Sequence, residues 1–354
     1  MGPEVPLCMG LSDLLESHGH KVFGPCKNAA ILEGSKAFSK DFMKRHHIPT
    51  ANYANVDNYD DAVEQLKNFS YPVVIKADGL AAGKGVVICE KEEEALQTLY
   101  DFLKGGALSG AGKTVVLEEF LTGFECSLLC FTDSKTIIPM VSAKDHKQIF
   151  DGNMGPNTGG MGTVAPNPYY TKAIADECME TIFLPTINAM NAEGRTFKGC
   201  LYFGLMLTPN GPKVIEYNCR FGDPETQVVL PLLESDLLTV MMATTNGTLA
   251  DTEVKFADKH ACCVILASNG YPTAYKKGFE MTFTEEAQKA TYVAGAKLEN
   301  GKLVTSGGRV TGTTAIADSL ADAIKEAYRL SDGVKFEGAY RRSDIGKRAL
   351  EALN

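Results

Sequence analysis

The run Val214-Ile215-Glu216-Tyr217-Asn218-Cys219-Arg220-Phe221-Gly222-Asp223-Pro224-Glu225-Thr226 constrains this chain more than any other stretch. It reads as a strand entering a loop dense with groups that hold metal and phosphate. Side chains alternate across a strand. Glu216, Asn218 and Arg220 are therefore expected on one face, with Ile215 and Tyr217 turned into a core. A carboxylate, an amide oxygen and a fixed cation on one face suit Mg²⁺ with a polyphosphate. Magnesium takes oxygen ligands and fills its other positions with water and phosphates, and arginine grips an anion through a planar fork.

Bulk properties narrow the field. At 354 residues the chain can form more than one core, and 44% hydrophobic with 22% charged residues is the texture of a soluble globular protein. The 35 Lys+Arg against 44 Asp+Glu leave a net charge of -9, which argues against nucleic acid as a partner. The 10 Cys form no CxxC pair, and Cys126, Cys130, Cys262 and Cys263 sit in apolar runs. Reduced, buried thiols in a cytoplasmic protein are expected. No apolar run approaches the ~20 residues of a membrane span, and the start, Met1-Gly2-Pro3-Glu4-Val5-Pro6, has no secretory character.

Along the chain, Gly2 to Pro6 reads as a loop, Leu7 to His18 as a helix and Lys21 to Pro25 as a short strand, the last βα unit of a sheet whose opening strands are absent. Helices are expected over Ser35–His47, Tyr59–Phe69, Lys91–Leu103, Lys172–Ala192 (kinked near Pro185), Pro231–Val240 and Ser319–Leu330. Strands are expected over Tyr71–Lys76, Val86–Cys89, Thr114–Phe120, Phe124–Phe131, Thr136–Val141, Gly199–Leu207, Pro212–Asn218 and Ala261–Ala267. Gly152 to Gly162 reads as a glycine-rich loop.

Four further constellations carry chemistry. Lys76-Ala77-Asp78-Gly79-Leu80-Ala81-Ala82-Gly83-Lys84-Gly85 brings backbone N–H groups and two lysines toward phosphate; it is no Walker loop, because a strand and not a helix follows Lys84. A plain hairpin is the alternative, but a buried ammonium at Lys76 would need an anion. Glu118-Glu119-Phe120-Leu121 with Glu125 can present backbone groups to an adenine and a carboxylate to a ribose, or be a solvated turn. Asp145-His146-Lys147 and the run Gly155 to Gly162 suit a loop closing over phosphate, with His146 either a base or a structural histidine. Tyr340-Arg341-Arg342-Ser343-Asp344 is either a phosphate clamp or a solvated turn.

Together these motifs resemble the ATP-grasp superfamily and, within it, the glycinamide ribonucleotide synthetase family, from Gly2 to the C-terminus. Asn157-Thr158-Gly159-Gly160-Met161-Gly162 combined with Arg220-Phe221-Gly222-Asp223-Pro224-Glu225 is the most specific part. The resemblance implies an ATP-grasp fold of mixed α+β and α/β character, two α+β subdomains clamping ATP. It implies a partial N-terminal α/β domain over 1–34, the ATP-grasp domain over 35–254 with its lid at about 51–117, and a small β-rich domain over 255–354. It implies ATP-dependent ligation of glycine to 5-phosphoribosylamine through a glycyl phosphate, with Mg²⁺ or Mn²⁺, in purine synthesis. On it, Lys76, Lys84, Glu118, Glu119, Phe120, Leu121, Glu125, Gln148 and Asn157 hold ATP, and Glu216 and Asn218 hold the metal. Glu4, Asp145, Thr158, Gly159, Gly160, Met161, Arg220, Asp223, Arg341 and Arg342 face the other substrates, and Arg220, Asp223 and Lys84 serve the chemistry. The strand Gly204-Leu205-Met206-Leu207 offers no second metal carboxylate.

The family ordinarily begins with a glycine-rich strand–turn–helix that this sequence lacks, so the phosphoribosylamine half is expected to be incomplete. A monomer is expected, with the partial N-terminal sheet as an edge open to pairing. The competing readings are an impaired ATP-binding fragment or assembly partner, and an ATP-grasp ligase with another acid and amine.

Overall fold

The computed structural model describes residues 3–80, 85–105 and 113–353. Two compact units emerge: Met1–Pro139 with Thr171–Phe221 and Leu237–Glu253, and Met140–Tyr170 with Gly222–Asp236 and Val254–Asn354.

The first unit contains two antiparallel sheets. One orders its strands Tyr53–Val56, Val115–Glu119, Val73–Ala77, Val86–Cys89. Helices Tyr59–Leu66 and Glu92–Leu103 pack on it through Ala62, Leu66, Ala95 and Leu99, against Val73, Ile75, Val115 and Leu117. Alternation sends Val73 and Ile75 to this core and leaves Lys76 on the opposite face. The second sheet orders Gly211–Asn218, Gly199–Thr208, Phe124–Thr132, Ile137–Pro139.

Alternation fails at one place in that second sheet. Glu216 pairs with Gly204, but Val214 pairs with Leu205, so Ile215 is an extra residue, a β-bulge. Val214 and Tyr217 are buried while Ile215 is only half-buried, which corrects the strict alternation expected for this strand.

Other expectations are revised. Residues 4–6 are not a loop: the chain is helical over Glu4–Met9 and Leu11–Ser17, broken where Gly10 takes φ 99° and its N–H caps the first helix. Pro6 is tolerated because first-turn N–H groups lack helical partners anyway. Lys21 to Pro25 forms no strand; Phe23 packs on Phe131 and Phe221 at 6.2 and 6.0 Å between ring centres. The Pro231–Val240 helix is instead a 3₁₀ turn, Leu230–Leu232, and a separate helix, Leu237–Asn246; between them Leu233 turns extended and bridges Phe256. Lys172–Ala192 is helical throughout, with a π-helical turn at Met179–Phe183 just before Pro185, whose missing N–H a regular helix could not supply.

In the second unit one sheet orders Thr291–Val293, Arg309–Ala317, His260–Ser268, Gly162–Ala165, Lys144–Asp145, with Ala339–Tyr340 beside His260–Ser268. Helix Leu320–Ser331 covers it through Leu320, Ala323, Ile324 and Ala327. The glycine-rich segment is partly a hairpin, Gln148–Phe150 against Met154–Asn157, turned by Gly152 and Asn153 at φ 70° and 57°. No helix among the described residues is long and apolar enough to cross a membrane.

Candidate functional site

In the first unit, Glu118 lies opposite Val74, two residues from Lys76 on the same face, so their side chains meet diagonally. Lys76 Nζ stands 2.9 Å from Glu118 Oε1, and Lys40 Nζ, from helix Lys36–Arg45, stands 2.8 Å from Glu118 Oε2. Two ammonium groups thus share one carboxylate, all three buried. Burial works against the charge on Glu118, but Lys76 and Lys40 outweigh it and hold the carboxyl below its ordinary value. Burial pushes Lys40 down to about 8, against the pull of Glu118. Lys36 is also pushed down by burial and donates to Gly79 O at 2.7 Å.

Lys76 Nζ further reaches the carbonyl of the bulged Ile215, at 3.4 Å. It thereby links the sheet carrying Glu118 to the strand carrying Glu216. Glu216 lies opposite Gly204, where no side chain competes for its space, and Asn218 lies opposite Tyr202. Arg220 Nη2 donates to Asn218 Oδ1 at 3.3 Å and pairs with Glu33 Oε1 at 3.0 Å. Glu33 also accepts from Cys219 N at 2.6 Å, so its two oxygens hold the backbone just before Arg220 and the Arg220 side chain itself. Burial pushes the Glu33 carboxyl up, with Arg220 opposing. Glu4 approaches Arg220 Nε at 3.8 Å.

Glu119 is engaged by Lys213 Nζ at 3.0 Å and Asn52 Nδ2 at 2.9 Å. Beyond it Phe120 is exposed and Leu121 and Glu125 are half-buried. Lys84 lies outside the described residues. Among the described residues no three His, Cys, Asp or Glu side chains gather as a metal site.

In the second unit the run Asn157 to Gly162 is tied down at both ends. Thr158 N and Oγ1 donate to Lys147 O at 2.7 and 2.8 Å, and Thr158 Oγ1 accepts from Gly160 N at 2.9 Å. Gly160, at φ 111°, abuts Asp145 and Pro224: a Cβ there would lie 2.6 and 2.5 Å from them. Met161 is buried, Asn157 exposed. Asp145 is pushed up to about 8, by burial first and Glu225 second. Asp223 accepts from Gln227 Nε2 at 2.8 Å and pairs with Arg309 at 3.0 Å.

His146 is structural. Its Nδ1 donates to Gly162 O at 3.0 Å and its Nε2 accepts from Gly346 N at 3.1 Å, so both ring nitrogens are occupied by backbone. Burial lowers its pKa to about 3. Arg342 is 1% exposed and donates to Asp344, Gln148 O and Asn153 Oδ1 at 2.7 to 3.0 Å. Gln148 thus lends its carbonyl to Arg342. Arg341 donates to Tyr328 O and Ser331 and pairs with Asp332 at 2.7 Å. Both guanidinium groups are committed to neighbouring protein groups.

Sequence reasoning missed Lys36, Lys40, Glu33 and Arg309. The glycines beside Arg309, in Ser306-Gly307-Gly308-Arg309, were the available signal for the last; helical lysines carry none.

Comparison with known proteins identifies the surroundings of these groups. The phosphoribosylglycinamide synthetase ATP-grasp (A) domain matches residues 34–226, and the phosphoribosylglycinamide synthetase C domain matches 261–348. A phosphoribosylamine–glycine ligase of Clostridium acetobutylicum is 50% identical over 347 residues, covering 98% of this chain and 83% of that protein. The human trifunctional purine biosynthetic protein adenosine-3 is 46% identical across 100% of this chain, which spans 35% of it. The crystal structure of a phosphoribosylamine–glycine ligase from Thermotoga maritima superposes with a TM-score of 0.86 at 38% identity, covering 92% of this chain and 81% of that one.

Proposed function

This chain belongs to the phosphoribosylglycinamide synthetase family, with its ATP-grasp fold, and we propose that it joins glycine to 5-phosphoribosylamine with conversion of ATP to ADP and phosphate. The observation that carries the reading is the pair of buried lysines sharing Glu118, one of them touching the strand of Glu216. A buried cation in excess of its partner calls for an anion, and a nucleotide triphosphate supplies one.

The chemistry asks two anions to meet, the glycine carboxylate and the γ-phosphate. Lys76, Lys40 and Lys36 offset charge on the phosphates, and Arg220, braced by Glu33, does the same for the transferring group. Glu216 and Asn218 are the groups that would hold Mg²⁺ or Mn²⁺, which when bound supplies Lewis-acid neutralisation of the phosphate oxygens. Phe120, Leu121, Glu125 and Asn157 take the nucleotide, and Glu4, Asp145, Thr158 to Met161 and Asp223 face the remaining substrates. The acyl phosphate so formed is attacked by the amine of phosphoribosylamine, which releases phosphate. Residues 35–254 make up the ATP-grasp domain with its lid at about 51–117. The free thiols among the described residues suit a reducing, cytoplasmic setting.

The test is ADP formation with Mg²⁺-ATP and glycine, with and without phosphoribosylamine generated in situ. Turnover should need both substrates. Glu216→Ala should weaken Mg²⁺-dependent ATP binding at least tenfold, about 1.4 kcal/mol; unchanged binding by calorimetry would remove Glu216 from the site.

A further inference from the structure

Arg309 opens the strand Arg309–Ala317 and turns its guanidinium onto two other segments of the same unit. Nη1 donates to Gly159 O at 2.7 Å, to Asp223 O at 2.8 Å and, more weakly, to Gly160 O at 3.4 Å. Nη2 donates to Asp223 Oδ2 at 3.0 Å. One planar group thus joins the Gly159-Gly160 turn to the Asp223 segment, and Gln227 holds the other oxygen of the same carboxylate. Gly159 leaves room for the guanidinium where it lies: a Cβ there would stand 2.9 Å from Arg309 Cζ. Tyr271 completes the bracket, its hydroxyl accepting from Gly159 N at 3.1 Å. Asp223, Gln227, Tyr271 and Arg309 line a cavity of about 490 Å³.

We infer that Arg309 is a positioning residue for the ligase reaction: it sets the Gly159-Gly160 turn and the Asp223 carboxylate in one fixed arrangement at the edge of that cavity. The inference rests on the functional reading above, in which both segments face substrate. Arginine suits the task and lysine does not. Four acceptors on two segments lie in the reach of one flat fork, whereas an ammonium is a point donor on a flexible stem. Small misplacement of reacting groups is costly, on the order of 10²-fold in rate for about 1 Å. Arg309 therefore acts on turnover through its neighbours.

The experiment compares wild type with Arg309→Ala, Arg309→Lys and Gly159→Ala. Expected for Arg309→Ala is a fall in kcat on the order of 10²-fold with the ATP dissociation constant within threefold of wild type (roughly 0.6 kcal/mol), and partial recovery on adding guanidinium ion. Arg309→Lys should recover little, and Gly159→Ala should reproduce the loss by displacing the guanidinium while the charge stays. A kcat within threefold of wild type in Arg309→Ala (roughly 0.6 kcal/mol), full activity in Arg309→Lys, or loss without guanidinium rescue would overturn the inference. If wild type forms no ligation product, the functional reading fails by itself. The clamp is then judged by amide hydrogen exchange: faster exchange confined to residues 157–162 and 222–227 in Arg309→Ala supports it, and unchanged or global exchange overturns it.

Discussion

Two buried cation clusters in this protein differ in their balance. Around Glu118, Lys40 and Lys76 share a single carboxylate, and their remaining contacts are a hydroxyl and a carbonyl, Thr50 Oγ1 at 2.8 Å and Ile215 O at 3.4 Å. Around Arg342 the account closes. Asp344 meets it with both oxygens, Gln148 and Asn153 add two more acceptors, and the Asp344 carboxyl, which burial alone would raise, is drawn down to about 2 by Arg342 and Gly152 N. Donors exceed acceptors in the first cluster, whereas the second is closed by its own neighbours. Burial and positive charge are common to both; the balance of donors against acceptors is what separates them.

The largest expected effect comes from breaking the first cluster. Glu118→Ala leaves two ammonium groups buried without their carboxylate, which costs about 3–5 kcal/mol for an interrupted buried pair. Urea unfolding should show that loss, and saturating Mg²⁺-ATP should restore part of it by supplying a replacement anion. Recovery of nothing would mean that phosphate does not reach the lysines.

The second expectation compares neighbours. His146 is held neutral, with its pKa at about 3 against an ordinary 6.5. The native state therefore resists protonating it, and its contribution is full above pH 6.5 and declines as pH falls toward 3. Asp145 is the reverse: its carboxyl sits at about 8 against an ordinary 3.8, so its contribution is full below pH 3.8 and is lost as pH rises through 8. Each slope is bounded by one proton, about 1.4 kcal/mol per pH unit. Stability measured across pH should lose its acid-side slope in His146→Gln and its alkaline-side slope in Asp145→Asn. Identical profiles in variant and wild type would show that neither group is held as its surroundings imply.

The smallest effect sharpens the contrast between the clusters. With Lys40 at about 8, part of its population is neutral at pH 8, and a bound phosphate favours the charged form. ATP binding at that pH should take up a fraction of a proton, read by calorimetry in buffers of different ionisation enthalpy. Lys40→Met should abolish the uptake.

The strands of the first unit were legible because their apolar runs are short and bounded by turn residues. Lys76 stood out because it ends a buried run. Lys40 did not: within Lys36–Arg45 it looks like any solvated helical lysine, and only the packing of that helix against the sheet puts it beside Glu118. The alternation that placed Glu216 and Asn218 on one face was right in period and wrong in continuity, because a bulge depends on the partner strand's register and leaves no mark in its own sequence. The N-terminal strand failed for a related reason: a strand exists only where something pairs with it, and Phe23 instead joins an aromatic cluster.

The paired arginines show the same division. Arg341-Arg342 carries identical chemistry to a phosphate clamp, yet Arg342 is surrounded by acceptors contributed by Gln148 and Asn153, nearly two hundred residues away in sequence. The family and the ATP-grasp fold could be read from the chain alone, because glycine spacing, alternating burial and clustered charge are local properties. Which cations are balanced, which histidine is inert and which arginine braces the Gly159-Gly160 turn was decided by the tertiary structure alone. Those properties depend on partners distant in the chain and on the desolvation that packing imposes.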